Sequence, residues 1–343
     1  MLGELWIDTP SMLQERLKLL PDPLRGHVSE FAERGFTVFP GLISPEDTDR
    51  IVADTRKVYG SPQEFVVNAN GTHIDPADID QLAVGQRILD LFAVSGAARD
   101  AIGHPTLVSF LKTIFDDDVL AMQSLYFEYG SQQAVHQDTA YVVSRKPLNL
   151  AAAWIALEDV TLGAGELIYY PGSHRFDHFL FSDAHKHWRS DRDGDAQHHA
   201  FLESLHEKAR ASGMKQEAFL ARKGDVLIWH ADLAHGGGAI TVPGVTRQSL
   251  VAHYCPKSVK PAYRNTSHPY YCEAPHIDGL SFTSAYYDLR KFAWSKPPAI
   301  VFDGGLERKT PLPTVYRSVR ARVAQRVPNV LKRGIRSILA ATR

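Results

Sequence analysis

Three side chains able to bind a metal stand in two short segments of the 343-residue chain. The segment "AVHQDTAYVV" (134–143) otherwise reads as a β-strand, and alternate strand residues share a face, so His136 and Asp138 would project together. The segment "GDVLIWHADLAHGGG" (224–238) reads as an apolar strand followed by a glycine-rich turn that bears His235. Two histidines and one carboxylate leave three positions of an octahedral ion open, as in non-haem Fe(II) oxygenases. Zinc hydrolases also use two histidines and a carboxylate, so the ligand types alone leave the metal undecided.

A second His-x-Asp pair competes for the same role. His230 and Asp232 lie directly before His235, and a single turn would have to supply all three ligands if this pair were used. We therefore interpret His230 as a packing or supporting residue. For His136 and Asp138, the alternative to a metal site is a salt-bridged pair on the surface of an edge strand.

An arginine and a hydroxyl follow in "TRQSLVAHY" (246–254), twelve and fourteen residues after His235. On a strand, Arg247 and Ser249 share a face. A guanidinium fork beside a hydroxyl can grip a carboxylate with charge-assisted hydrogen bonds. An arginine near an ion with open positions predicts a dicarboxylate that is chelated at one end and clamped at the other, and 2-oxoglutarate fits that description. A zinc hydrolase has no need for such a clamp, and the simpler alternative is that Arg247 pairs with an acidic surface.

Taken in order, several segments resemble the phytanoyl-CoA dioxygenase family of Fe(II)- and 2-oxoglutarate-dependent oxygenases. They are "ERGFTVFPGLISPED" (33–47), "HQD" (136–138), "YYPGSH" (169–174), "GDVLIWH" with the later His235, and "RQS" (247–249). No single segment is specific, and the resemblance rests on the order and spacing of the set, which spans roughly residues 30–255. It implies a double-stranded β-helix core of the jelly-roll or cupin-like kind.

The resemblance also implies roles for individual residues. His136, Asp138 and His235 would be the Fe(II) ligands, and Arg247 with Ser249 would hold the distal carboxylate of 2-oxoglutarate. Dioxygen would be the second co-substrate. Three further candidates for co-substrate binding lie on neighbouring predicted strands. They are Trp154 and two weaker candidates, Gln123 and Tyr126.

The activity implied is hydroxylation, or a related oxidation, of a C–H bond with release of succinate and carbon dioxide. Asp138 favours this outcome because relatives that halogenate carry a small residue at that position. We expect the substrate to be a small or lipid-linked metabolite. Two alternatives stay open: a zinc hydrolase on the same fold, and a non-catalytic binding protein in which the three ligands are dispensable.

The elements that would position these residues change character along the chain. In the first hundred residues, Ser44 as N-cap and Pro45 at the first helical position predict a helix, preceded by a short strand at 35–41. Apolar spacing predicts another helix at 104–115. From about 120 to 256, short apolar or alternating segments between turn signals predict a jelly roll. We therefore expect a mainly β fold with α: a jelly-roll core, a helical N-terminal layer and a basic C-terminal helix.

A histidine-rich segment, 175–222, interrupts the predicted strands. Insertions of this length are usually functional or disordered, and we interpret this one as a lid that contacts substrate and excludes water. Its histidines match no known spacing for a second, closed metal site. Residues 1–310 would then form one domain.

The C-terminal segment, 311–343, is predicted to be a basic amphipathic tail. It carries eight basic and no acidic residues between 316 and 343. The tail could dock on the acidic body, or 315–343 could make peripheral contact with an anionic membrane surface. Nucleic-acid contact is not expected, since the arginines lack interleaved aromatic residues. The two cysteines and the lack of a long apolar run predict a cytoplasmic protein, peripheral at the inner membrane face if the tail binds lipid.

Overall fold

The structure is a computed structural model that describes residues 2–57, 66–69, 72–74, 82–262, 270–273, 277–287 and 289. The predicted tail lies outside the described residues, so its helical form and the domain boundary at residue 310 stay predictions. Within the described part of the chain, no helix is long and apolar enough to span a membrane.

Two β-sheets form the centre of the molecule. The larger sheet has ten strands in the order β1-β9-β6-β11-β5-β4-β2-β3, with β13 added parallel to β5 and β12 paired to β13. The smaller sheet has the order β10-β7-β8. The strand bounds are β1 Phe36–Phe39, β2 Val66–Ala69, β3 Thr72–Ile74, β4 Gln86–Leu89, β5 Val119–Phe127, β6 Ala151–Ala156, β7 Leu167–Tyr169, β8 Glu217–Phe219, β9 Val226–His230, β10 His235–Gly237, β11 Ser249–Pro256, β12 Tyr270–Glu273 and β13 Leu280–Ser284.

The core lies between the inner faces of these two sheets. Strands β6 and β11 are buried along their whole length because they have neighbours on both edges and side chains packed on both faces. One apolar cluster joins Trp154, Trp229 and Val251 of the larger sheet to Leu167 and Tyr169 of the smaller one. Two largely antiparallel sheets packed over a shared core are the arrangement that the jelly-roll prediction requires.

Helices from the N-terminal part of the chain pack against the larger sheet. In the described residues α2 contacts β1 and α5, and α5 also contacts β5 and β11. Two helices begin where the sequence predicts: Ser44 accepts a hydrogen bond from the backbone N–H of Asp47, and His104 caps the helix that Pro105 starts. The helix bounds are α1 Pro10–Leu17, α2 Leu24–Arg34, α3 Pro45–Arg56, α4 Gly96–Ile102, α5 Pro105–Phe115 and α6 Ser190–Ala211.

The prediction of a continuous strand over 134–143 is wrong. Only His136 pairs, in an isolated bridge with His235, and a 3-10 turn follows at once from Asp138 to Ala140. The turn forms because the carbonyl of Asp138 accepts the backbone N–H groups of Tyr141 and Val142 at 2.8 and 2.7 Å. His235 likewise begins β10 instead of lying in a turn.

The boundaries predicted for the insertion also change. The end of the 175–222 segment forms β8, which pairs with β7 and is part of the smaller sheet. Before it, α6 buries Phe201 and Leu205 in a cluster with Phe181, Val135 and Ala140. Since the last two residues flank the first predicted metal ligands, the segment packs against residues beside the site.

Asp90 is a buried carboxyl group whose protonation makes the stability of the fold depend on pH. It is buried, and it accepts hydrogen bonds from Ser124 N at 2.8 Å and Ser284 Oγ at 2.6 Å. Burial raises the pKa of Asp90 to about 7, although these two hydrogen bonds lower it. The folded state therefore keeps a proton that the unfolded chain releases above its ordinary carboxyl pKa.

We expect the unfolding free energy to fall as pH rises from about 4 to 7, by up to about 1.4 kcal/mol per pH unit from this one group. The Asp90→Asn variant should lose that slope, which urea unfolding at several pH values would measure. Asp195→Asn, at an exposed position of α6, is the control and should follow the wild type. Parallel pH profiles for wild type and Asp90→Asn would contradict the prediction.

Candidate metal centre

The structure brings the three predicted ligands together. His136, Asp138 and His235 are buried, and each offers one ligand atom within 4.8 Å of the others. Oδ1 of Asp138 lies 3.8 Å from Nε2 of His136 and 3.7 Å from Nε2 of His235. The three atoms therefore face a common point, as ligands on one face of an ion must.

Local hydrogen bonds aim both imidazoles at that point. Nδ1 of His136 lies 2.8 Å from the carbonyl of Ala134, and Nδ1 of His235 lies 2.9 Å from the carbonyl of Leu233. A carbonyl can only accept, so Nδ1 carries the proton in each ring and Nε2 presents its lone pair. Burial and the neighbouring His235 lower the pKa of His136 to about 3, although Asp138 raises it, which keeps this imidazole neutral.

The second carboxylate oxygen of Asp138 is held from behind. Nε1 of Trp229 donates to Oδ2 at 2.7 Å, and Nε2 of His253 lies 3.5 Å from the same atom. Burial by itself raises the pKa of Asp138, but His235 and His253 lower it below its ordinary value. The carboxylate is thus ionised, with Oδ2 engaged by the protein and Oδ1 turned to the two histidines.

Arg247 is a buried cation beside this centre. Its Nη1 donates to Ser249 Oγ at 2.9 Å, and its guanidinium lies 5.4 Å from the Trp154 ring and 5.7 Å from the Phe127 ring. Its Nε is buried with no hydrogen-bond partner, and within the described part of the chain no carboxylate forms an ion pair with it. Burial lowers the pKa of Arg247 to about 10, which Glu158 partly offsets. A buried guanidinium in this state fits the distal carboxylate of a co-substrate.

One pocket connects the arginine to the metal-binding side chains. The residues that line it include His136, Asp138, His235, Arg247 and Trp154. The predicted ligands and the predicted clamp therefore line one cavity. A molecule that is chelated at one end and clamped at the other requires such a shared cavity.

The two weaker candidates on β5 lie differently. Gln123 is half-buried and stands opposite His253 in the β5–β11 pairing, which puts it on the site side of the sheet. Tyr126 does not line the pocket, because its strand neighbours Leu125 and Phe127 do and adjacent strand residues point to opposite faces. The placement of Tyr126 corrects its assignment to the co-substrate site.

The competing His-x-Asp pair has another role. Asp232 binds Nζ of Lys186 at 2.5 Å and Thr139 Oγ1 at 2.6 Å, while Nε2 of His230 lies 3.6 Å from Asp8. The interpretation of His230 as a supporting residue agrees with this contact. Lys186 belongs to the insertion, so its buried ion pair ties that segment to the loop before His235.

Histidines of the insertion bind individual neighbours. His178 lies 3.2 Å from Asp232, His185 lies 3.7 Å from Asp193, and His198 shares a 2.6 Å hydrogen bond with the Tyr141 hydroxyl. In the ranges that the structure describes, they form no second cluster of three metal-capable side chains.

Sequence reasoning missed three residues at the site: Trp229, His253 and Gln133, whose amide nitrogen lies 3.3 Å from Nε2 of His136. A signal for His253 was present, since it continues the alternation that starts at Arg247 and Ser249. Trp229 has no comparable signal, because an aromatic residue in an apolar strand is usually core.

We expect Trp229→Phe to weaken metal binding about 10- to 100-fold, because the ring remains but the N–H that holds Oδ2 of Asp138 is lost. Anaerobic Fe(II) or Co(II) titration of the purified protein measures this. Trp6→Phe is the matched control, since Trp6 is a buried indole that donates at 2.9 Å to Thr113 O instead. Equal affinities for both variants and the wild type would contradict the role of Trp229.

Comparison with known proteins agrees with this geometry. The profile of the phytanoyl-CoA dioxygenase (PhyH) family matches residues 31–249, more than half of the chain. The peroxisomal phytanoyl-CoA dioxygenase of Rattus norvegicus is 20% identical over 240 residues, which cover 65% of this chain and 66%, just under two thirds, of the rat enzyme.

Solved structures share the fold at low identity. The epimerase SnoN, in complex with Fe3+, alpha ketoglutarate and nogalamycin RO, has a TM-score of 0.52 at 20% identity, covering 73% of this chain and 89% of SnoN. The carbocyclase SnoK from nogalamycin biosynthesis has a TM-score of 0.52 at 18% identity, covering 74% and 89%. EctD from S. alaskensis, with 2-oxoglutarate and 5-hydroxyectoine, has a TM-score of 0.50 at 19% identity, covering 68% and 76%. With the profile spanning both the metal-binding side chains and the arginine, this chain belongs to the phytanoyl-CoA dioxygenase family.

Proposed function

We propose that this protein is a non-haem Fe(II)- and 2-oxoglutarate-dependent dioxygenase that hydroxylates, or otherwise oxidises, a C–H bond of a small or lipid-linked metabolite. When bound, iron and 2-oxoglutarate supply dioxygen activation coupled to oxidative decarboxylation, which yields succinate and carbon dioxide. His136, Asp138 and His235 would hold the iron through Nε2, Oδ1 and Nε2.

The observation that carries this proposal is the state of Arg247. It is a buried guanidinium with an unpartnered Nε, stacked between aromatic rings in the same pocket as the metal-binding side chains. Leaving such a charge without an anion is costly, and a bound carboxylate would relieve that cost. A zinc hydrolase would have no use for this arrangement, so the proposal favours a co-substrate that ends in a carboxylate.

The remaining residues of the site orient these groups and exclude water. Trp229 and His253 hold Oδ2 of Asp138, which leaves Oδ1 for the metal and prevents the carboxylate from rotating away. The insertion packs Phe201 and Leu205 against Val135 and Ala140, beside the first ligands, and as a lid it would limit wasteful reaction with water. Asp138 supplies a carboxylate ligand where a halogenating site needs an open position, and this supports hydroxylation as the reaction.

The structural relatives support the cofactor assignment more than the reaction. Those relatives include an epimerase, a carbocyclase and an enzyme crystallised with 5-hydroxyectoine, so one fold carries several oxidative outcomes. Two of them were crystallised with alpha ketoglutarate or 2-oxoglutarate. The choice of hydroxylation is therefore part of the proposal.

Anaerobic titration of Fe(II) and 2-oxoglutarate into the metal-free protein tests the proposal. The chelate should give a weak visible charge-transfer band, which His235→Ala should abolish. Arg247→Gln should weaken 2-oxoglutarate binding by about tenfold or more, because it removes a charge-assisted clamp. Arg145→Gln, at an exposed position, is the control and should titrate as the wild type.

Other outcomes of that titration would reject the proposal. Tight zinc retention without a band would indicate a hydrolase that works without dioxygen. No metal binding at all would indicate a binding protein, and a His136→Ala protein with normal function in the cell would agree with it.

The lipid-linked form of the proposal depends on the tail. If 315–343 binds an anionic membrane surface, deleting these residues should move the protein from the membrane fraction to the supernatant, because each basic residue near the surface contributes about 1 kcal/mol. Unchanged fractionation would remove the reason to prefer a lipid-linked substrate and a place at the inner membrane face.

A further inference from the structure

A second arginine, Arg87, lies beside the pocket-lining Phe127 on the neighbouring strand. Strand β4 pairs antiparallel with β5 through Ile88 opposite Tyr126 and Leu89 opposite Leu125, so the next pair in register is Arg87 opposite Phe127. Residues directly opposite in an antiparallel pair share a face. Leu125 and Phe127 line the pocket, and Arg87 therefore lies on its pocket side.

Arg87 and Arg247 approach the same aromatic ring. The Arg87 guanidinium lies 6.0 Å from the Phe127 ring centroid, and that of Arg247 lies 5.7 Å from it. An anion close to either guanidinium would stabilise its positive charge. Ser249 of β11 stands opposite Phe127 on the side of β5 that faces away from β4. Arg87 and Ser249 therefore flank Phe127 and are separated by about two strand spacings, or about 10 Å.

Arg87 has no anionic partner among the residues that the structure describes. The ionisable group that acts on Arg87 is the Tyr286 hydroxyl, and burial raises the pKa of Tyr286 to about 12, so this hydroxyl is neutral at ordinary pH. Arg87 is half-buried, and burial lowers its pKa, as expected for a cation partly withdrawn from water.

A single 2-oxoglutarate cannot satisfy both arginines. Its one end would chelate the metal and its other carboxylate would bind Arg247 and Ser249, which leaves no oxyanion for Arg87. An anion bound by Arg87 would then belong to a different molecule.

We propose that Arg87 forms an oxyanion subsite for the primary substrate, and that this substrate carries a carboxylate or a phosphate group. This inference rests on the proposed function, since it needs the co-substrate to occupy Arg247. The planar guanidinium fork suits either oxyanion, with two parallel hydrogen bonds. The anionic group would be anchored at β4 while the carbon to be oxidised points toward His136 and His235.

The test uses anaerobic protein loaded with Fe(II) and saturating 2-oxoglutarate. Inorganic phosphate and, separately, acetate are titrated at constant ionic strength while thermal melting is followed, because a ligand that binds the folded state raises the melting temperature. We expect both anions to stabilise the wild type. Arg87→Gln should weaken that binding by about tenfold or more, with the 2-oxoglutarate charge-transfer band intact.

Two further variants make the result decisive. Arg210→Gln, at an exposed position of α6, should respond to both anions as the wild type does. Arg87→Lys keeps the charge and guards against a folding defect in Arg87→Gln; it should retain phosphate binding better than acetate binding, because lysine lacks the fork. Stronger stabilisation by phosphate than by acetate would assign a phosphorylated substrate, and comparable stabilisation a carboxylated one.

Several outcomes would overturn the inference. Wild-type protein with an intact band but no stabilisation by either anion would show that Arg87 is not an oxyanion subsite. The same conclusion follows if Arg87→Gln and wild type respond equally. Loss of the band in the wild type itself would reject the proposed function instead, and the two failures are therefore distinguishable.

Discussion

The site depends on one pair of backbone hydrogen bonds. The N–H of His136 donates to the carbonyl of His235 at 2.8 Å, and the N–H of His235 donates to the carbonyl of His136 at 2.9 Å. This reciprocal bridge locks together two segments that are far apart in sequence. Each histidine also bonds to the carbonyl two residues before it, so fixing the backbone fixes the direction of Nε2. A short bridge instead of a long strand leaves Asp138 free to turn toward both rings.

Charge is arranged around this bridge in an ordered way. The ionised Asp138 faces the histidines with Oδ1 and is held by Trp229 and His253 through Oδ2. In the same pocket, Arg247 is buried between Phe127 and Trp154, and within the described residues no carboxylate forms an ion pair with it. A buried cation is stabilised by an anion nearby, and the proposed co-substrate would supply that anion as a carboxylate. The protein provides direction and charge, and leaves the oxidising chemistry to the bound groups.

In the insertion, the structure differs in part from what the sequence pattern predicts. A long histidine-rich segment between strands predicted a cover for the site, and α6 does pack on the residues that flank the first ligands. Its last residues, however, form β8 of the smaller sheet, since the backbone of Glu217–Phe219 pairs with Leu167–Tyr169. No periodicity in three residues could have indicated this, because a strand so short is defined by its partner and not by its own composition.

The sequence by itself indicated the candidate ligands and the candidate clamp: His136, Asp138 and His235, followed by Arg247 and Ser249 at alternating positions. Local chemistry also determined the start of α3, where a serine cap and a proline are sufficient. Only the tertiary structure decided how the ligands meet, because the pairing of His136 with His235 replaces the strand that 134–143 predicts. It also placed Trp229 and His253 against Asp138, and it put Tyr126 on the face of β5 opposite to the pocket-lining Leu125 and Phe127. Which neighbour a side chain meets across a sheet depends on register, and register is set by the packing of the whole core.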